Sequence, residues 1–323
     1  MTAAAREDSA RSLTEGRLSN AGHQGRGKAY AALAVAGCLW GTGFFFGKID
    51  LAEMGVGHML LYRFLFACLG LLPVAFKHRA KPRLNDVPLF LLAAALYGPI
   101  QFLVQFEGLA HTTVSHASLM VGTLPLLLAV GAVAFTHERL DRTGWLTLVV
   151  SSMGAVLIVV QAHSNAAATG GPSLLGDVLV LISMLAGVGW VLVTQRVMHA
   201  RRGYSPIVMS VYIIALGTIM LAAWVLVVDG LPPVTFSARA WMALAAQGLL
   251  STTAPTLLWN WALMRVPAAR AGIFINFEPV VGTLLGVALL HESLGPAAAA
   301  GGVMIVGAAT AFTFHAPTAH GSS

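Results

Sequence analysis

The chain has 323 residues, of which 57% are hydrophobic and only 10% are charged, and its net charge is +6. Soluble domains carry about 25% charged residues, so a mean hydropathy of +0.78 excludes a soluble fold along with collagen, coiled coil, disordered chain and disulfide scaffold. Cys38 and Cys68 lie inside apolar runs and read as reduced, packed thiols. No Cys/His cluster points to a metal.

Residues 1–28 carry Arg6, Arg11, Arg17, Arg26 and Lys28 among Ser, Gly and Ala, without an apolar run, and read as a disordered cytoplasmic tail. The first apolar run starts too late for a signal peptide and leads straight into further spans. Candidate spans follow at 29–47, 57–76, 87–106, 113–135, 143–161, 174–195, 205–228, 239–262, 271–290 and 296–314. Each is long enough to cross a hydrocarbon core of about 30 Å as a helix. Alternating barrel strands are absent, which leaves a helical bundle. The longest connection, 162–173, holds Ser164, Asn165, Gly170, Gly171 and Pro172 and reads as a linker between halves. A tail at 315–323 ends the chain.

Charge placement sets the orientation. With ten spans and an inside N-terminus, the outer flanks hold only Lys48 and Arg239, and one span holds Arg63. The other sixteen of the 19 Lys and Arg fall inside. This is a positive-inside pattern with both ends cytoplasmic. The basic balance therefore needs no nucleic-acid partner; the partner it points to is the lipid bilayer.

The halves repeat. Shifted by 154, residues 106–140 lie on 260–294 without a gap, pairing Leu109, Ala117, Pro125, Val133, Ala134, His137, Glu138 and Leu140 with Leu263, Ala271, Pro279, Val287, Ala288, His291, Glu292 and Leu294. Shifted by 150, Gly37, Trp40, Met59 and Tyr62 meet Gly187, Trp190, Met209 and Tyr212. An odd number of spans per half turns the second copy upside down. The fold class is thus an all-α integral membrane protein, ten transmembrane helices in two inverted five-helix repeats, 29–161 and 174–314. Inverted repeats are a transporter architecture with the site near the midplane.

Trp40-Gly41-Thr42-Gly43-Phe44, Tyr62-Arg63-Phe64, Pro125 before Glu138-Arg139-Leu140, and Glu278-Pro279 before Glu292-Ser293-Leu294 resemble the signatures of the EamA family of the drug/metabolite transporter superfamily, ten-helix type. The resemblance covers about 29–314. It implies export of amino acids or related metabolites and a central cavity lined by helices 1, 3, 4, 6, 8 and 9.

Tyr97, Gln101 and Gln105 share one helix face, and Gln247, Ser251, Pro255 and Trp259 share its counterpart in the second repeat. Such a face either lines a cavity or bonds a neighbouring helix. Arg63 lies roughly 9–10 Å below the outer surface and Glu278 roughly 10–11 Å above the inner one. Ionisable groups inside spans point to function. Arg63 either binds a substrate carboxylate, clamps backbone carbonyls or snorkels outward. Glu278 either binds a substrate amine, exchanges a proton, or bonds a carbonyl freed by Pro279. Glu138 and Glu292, just past spans four and nine, read as structural bonds to the next helix start. Glu107, His111 and His116 are either gating or interfacial groups. Gly37-x-x-x-Gly41, Gly43-x-x-x-Gly47 and Gly282-x-x-x-Gly286 allow close helix contact.

The candidate substrate site comprises Trp40, Phe44, Arg63, Tyr97, Gln101, Gln105, Trp190, Trp259, Asn260, Asn276 and Glu278. Apolar walls with a few placed polar groups suit a small amphiphilic solute. Enzyme patterns are missing: no second His completes a zinc helix, no phosphate-binding Gly loop and no nucleophile elbow occur, so neither a catalytic residue nor a cofactor is expected. The sequence thus reads as a plasma-membrane secondary transporter. Its rivals are a cationic drug or amine exporter and a non-transporting membrane scaffold or signalling protein.

Overall fold

The structure, a computed structural model, describes residues 27–47, 49–78, 81–111, 121, 124–136, 141–166, 174–200, 203–290 and 296–315. The tail before Gly27, His116, Glu138, Glu292, linker residues 167–173 and residues 316–323 lie outside the described residues.

Ten helices make up the described residues. They are α1 (Gly27–Gly47), α2 (Val56–Lys77), α3 (Leu84–His111), α4 (Leu124–Thr136) and α5 (Arg142–Ala166), then α6 (Leu174–His199) and α7 (Pro206–Val228). Helix α8 joins Ala238–Gly248, a π turn at Leu249–Thr253 and Ala254–Leu263. Helix α9 joins Ala268–Ala271, a tighter 3-10 stretch at Gly272–Asn276 and Phe277–Leu290, and α10 is Pro296–His315. Helix α5 runs on to Ala166, so the expected linker begins helical. By length and composition, α1, α2, α3, α6 and α7 are long and apolar enough to cross a membrane. The outward faces agree: Leu69 and Phe76 on α2, Leu146 and Met153 on α5, and Leu185 on α6 are all more than half exposed. In water such a surface would be an aggregation hazard; in lipid it is the expected contact.

Local chemistry sets the helix ends. The Ser205 hydroxyl accepts from the Val208 N–H at 3.3 Å, with Pro206 opening α7. Ser237 accepts from the Ala240 N–H at 3.1 Å and starts α8, and the Asp141 carboxylate accepts from the Gly144 N–H at 2.9 Å and starts α5. Gly230, at φ +82°, ends α7 with its N–H on the Val225 carbonyl.

The contacts between repeats come in pairs, as a two-fold relation demands. Helix α2 packs on α7, and α5 on α10. The contact of α3 with α7 is matched by that of α8 with α2. The contacts of α3 and α4 with α6 are matched by those of α8 and α9 with α1. Glycines set the closest approaches. A Cβ on Gly41 would stand 2.6 Å from the Glu278 carbonyl oxygen, and one on Gly37 would strike that of Phe274, so α1 lies directly on the α9 backbone.

Candidate functional site

Helix α3 builds one wall of a central cavity through an irregular stretch. Leu96–Leu103 is π-helical and contains Pro99, which has no N–H for the Ala95 carbonyl four residues back. The wider i→i+5 turn brings Phe102 and Phe106 round to the face that Tyr97, Gln101 and Gln105 already share. The second repeat carries its own π turn at Leu249–Thr253, just before Pro255. The pseudo-symmetry thus extends to the same helical irregularity in both third helices.

The cavity and its open mouth together hold about 680 Å³ of empty space. Eight of the eleven expected residues line it: Trp40, Phe44, Arg63, Tyr97, Gln101, Gln105, Trp190 and Glu278. The aromatic rings form a continuous wall, with Tyr97 to Trp190 at 4.6 Å and Trp40 to Trp190 at 6.4 Å between centroids. Gly187 makes room for Gln101, whose Nε2 would be 3.1 Å from an added Cβ. The buried Gln101 Oε1 and Trp190 Nε1 have no hydrogen-bond partner among the described residues. Both residues line the cavity, and such unmet polar atoms call for a partner.

Arg63 is both clamp and lining. It is 2% exposed. Its Nε donates to Thr252 Oγ1 at 2.7 Å, and Nη2 donates to the Ser251 carbonyl at 3.2 Å. That carbonyl needs a donor because Pro255, four residues on, has no N–H to supply. Thr252 Oγ1 passes its own proton to the Gln247 carbonyl at 3.0 Å. The guanidinium also lies 4.3 Å from the Phe102 ring centroid and 5.8 Å from that of Phe106. Nη1 makes no hydrogen bond among the described residues, which leaves a charged donor at the cavity surface. The snorkelling alternative is replaced by an inward one.

Glu278 opens the last helical segment of α9, facing the same cavity. Among the described residues it accepts no hydrogen bond and has no cationic nitrogen within 4.0 Å. A fixed cation and an uncommitted carboxylate therefore face one space.

Three expected residues lie elsewhere. Trp259 is fully buried behind the wall, 5.1 Å from Trp40. Asn260 Nδ2 donates to Ser210 Oγ at 2.9 Å, tying α8 to α7, and Asn276 Nδ2 donates to Ser151 Oγ at 2.7 Å, tying α9 to α5. The polar face of α8 follows the interhelical alternative as well. Gln247 Nε2 donates to the Gly43 carbonyl at 2.9 Å, and Ser251 Oγ meets Thr42 Oγ1 at 2.7 Å. The two repeats thus use one face differently: α3 turns it to the cavity and α8 to α1. Glu107 and His111 form an exposed pair at 3.3 Å on the end of α3. Phe102, Phe106, Leu128 and Met184 also line the cavity without having been expected. Pro99 inside a span was the signal for the first two. Leu128 and Met184 look like ordinary core residues in sequence.

The model of the "EamA-like transporter family" matches residues 27–160 and 174–314. An "Uncharacterized transporter" of Archaeoglobus fulgidus is 26% identical over 282 residues, 86% of this chain and 95% of the relative. The "Uncharacterized transporter YcxC" of Bacillus subtilis is 27% identical over 291 residues, 86% of this chain and 90% of the relative. One crystal structure shares the fold with a TM-score of 0.71 at 17% identity, covering 88% of this chain and 97% of its own. With both repeats matched, this multi-pass membrane protein belongs to the EamA-like transporter family.

Proposed function

We propose that this transporter is a secondary carrier that exports small zwitterionic solutes by alternating access, with amino acids bearing large apolar side chains as its first class of substrate. The observation that carries the reading is that Arg63 and Glu278 face one cavity walled by Trp40, Phe44, Tyr97 and Trp190. A substrate carboxylate takes the Arg63 Nη1 donor, its ammonium takes Glu278, and its side chain lies on the rings. A hydrogen bond to a charged group is worth about 1.5–3 kcal/mol, so losing either end of the zwitterion weakens binding by roughly tenfold to a hundredfold. The same cavity disfavours a purely cationic drug, which would bring its charge toward Arg63. A sugar phosphate calls for two or more cations, and among the described lining residues Arg63 is the one present.

In this reading the membrane is the plasma membrane, both termini are cytoplasmic, and Glu278 exchanges a proton against substrate. The charge bias and the inverted repeat support it. The test is resistance. Cells overproducing the protein should tolerate toxic analogues of large neutral amino acids, and Trp190→Ala should remove that tolerance. Tolerance to cationic dyes without tolerance to the analogues would favour the drug-export alternative and overturn this one.

A further inference from the structure

Asp50 lies beyond the cavity, three residues past the end of α1. Positions 40, 43, 47 and 50 share one helical face. Trp40 and Gly43 on that face line the cavity. Gly47, a turn further out, is pressed against Phe106 and Gln247, which a Cβ would approach to 3.1 and 2.9 Å. Asp50 comes next, and it is fully buried. Neither carboxyl oxygen has a hydrogen-bond partner among the described residues. A carboxylate left without a protein donor is among the costliest groups a protein can bury.

The charges around Asp50 do not resolve this. Among the described residues, the cation whose charge acts on it is Arg63 on α2, but Nε and Nη2 of Arg63 are committed to α8. His58, near the start of α2, has its Nε2 buried and unpaired. Glu53, on the turn after Asp50, is occupied: its carboxylate accepts from the Ser237 N–H at 2.9 Å and the Ser237 hydroxyl at 2.5 Å, which holds it below the usual carboxylate range. Asp229 faces Gly57, Arg239 lies beside Glu53, and Glu107 is paired with His111. A metal ion does not fit, because hard cations need several oxygen ligands and the described residues hold no group of three His, Cys, Asp or Glu.

We propose that Asp50 is a proton-binding site that gates the outer end of the carrier: α1 packs down while the carboxyl holds a proton and releases when it ionises. The proton comes from the outer water onto one carboxyl oxygen and returns there on opening, so no other reactant is needed. Burial pushes this carboxyl up to about 7, against about 3.9 when hydrated. The packed form thus binds the extra proton and is favoured at low pH. Its ratio to the released form is highest below about pH 4, falls about tenfold per unit from there to about 7, and is flat above. As a gate, the site rests on the alternating-access reading; as a proton site, it does not.

The experiment reads packing directly and uses no substrate. Spin labels are placed at Ala52→Cys and Ala110→Cys, both exposed, in full-length protein lacking Cys38 and Cys68 and held in lipid nanodiscs. Pulsed dipolar spectroscopy then gives the distance distribution between the outer ends of α1 and α3. The ratio of packed to released populations should fall tenfold or more between about pH 5 and about pH 8, while Asp50→Asn, permanently neutral, should keep the packed distance throughout. His58, Glu107 and His111 are unchanged in the variant, so they contribute equally to both profiles. A ratio that ignores pH, or the same pH profile in Asp50→Asn, overturns the proposal. Should Asp50→Asn fail to fold, infrared spectroscopy decides. In a Glu278→Gln background, a carboxylic-acid stretch that titrates near 7 and is displaced by Asp50→Glu supports the site; a titrating band unmoved by Asp50→Glu, or no such band, overturns it. Absent amino acid flux would refute the proposed substrate and leave both readouts standing.

Discussion

Replacing Arg63 by Met keeps most of the side-chain length and removes the charge. The variant loses the bonds to Thr252 Oγ1 and the Ser251 carbonyl and the stacking on Phe102 at 4.3 Å. Two charge-assisted hydrogen bonds at about 1.5–3 kcal/mol each, offset by the desolvation that Met no longer suffers, leave a net loss of about 2–4 kcal/mol. Part of that loss is specific, since the Ser251 carbonyl is left without a donor because residue 255 is Pro. Pro255→Ala supplies the missing N–H. It should therefore restore about 1–2 kcal/mol more in the Arg63→Met background than in the wild type. The assay is a double-mutant cycle on reversible unfolding of the purified protein in mixed micelles. Additive single effects, with a coupling below about 0.3 kcal/mol, would refute the claim that Arg63 serves the carbonyl freed by Pro255.

Three further outcomes follow from named contacts. Gly248→Val places a Cβ 2.5 Å from that of Phe66 and 2.6 Å from the Arg63 carbonyl oxygen; forcing α2 and α8 apart should cost about 1–3 kcal/mol in the same unfolding assay. Single cysteines at Val234 and Lys81, both exposed, should react with an impermeant thiol reagent from outside and only after lysis, respectively, in a background lacking Cys38 and Cys68. Glu278→Gln should weaken substrate exchange by about tenfold or more, because the ammonium loses its carboxylate, and the exchange that remains should no longer depend on an imposed pH gradient, as measured in proteoliposomes.

Much of the architecture is legible because a bilayer is a simple solvent. Apolar runs must be helices, so the span number follows from counting, and the bias of Lys and Arg adds an expected orientation that the cysteine labelling tests. The cavity was legible where polarity and depth disagreed, as at Arg63, Gln101, Gln105 and Glu278. The misplaced amide residues share one cause. Asn260, Asn276 and Gln247 are also polar at depth, but each spends its amide on a neighbouring helix. Sequence shows that a polar group needs a partner and not whether that partner is helix or ligand. Phe102 and Phe106 were hidden by a different cause. A fixed 3.6-residue period cannot follow a π turn, and only Pro99 marked where the period breaks.

The central claim, a carrier that grips both ends of a zwitterion, is tested most directly by counterflow in proteoliposomes loaded with unlabelled phenylalanine. Labelled phenylalanine should accumulate transiently. Excess external phenylethylamine, which lacks the carboxylate, and phenylpropionate, which lacks the ammonium, should compete at least about tenfold more weakly than phenylalanine itself. No counterflow, or phenylethylamine competing as well as phenylalanine, would contradict the account.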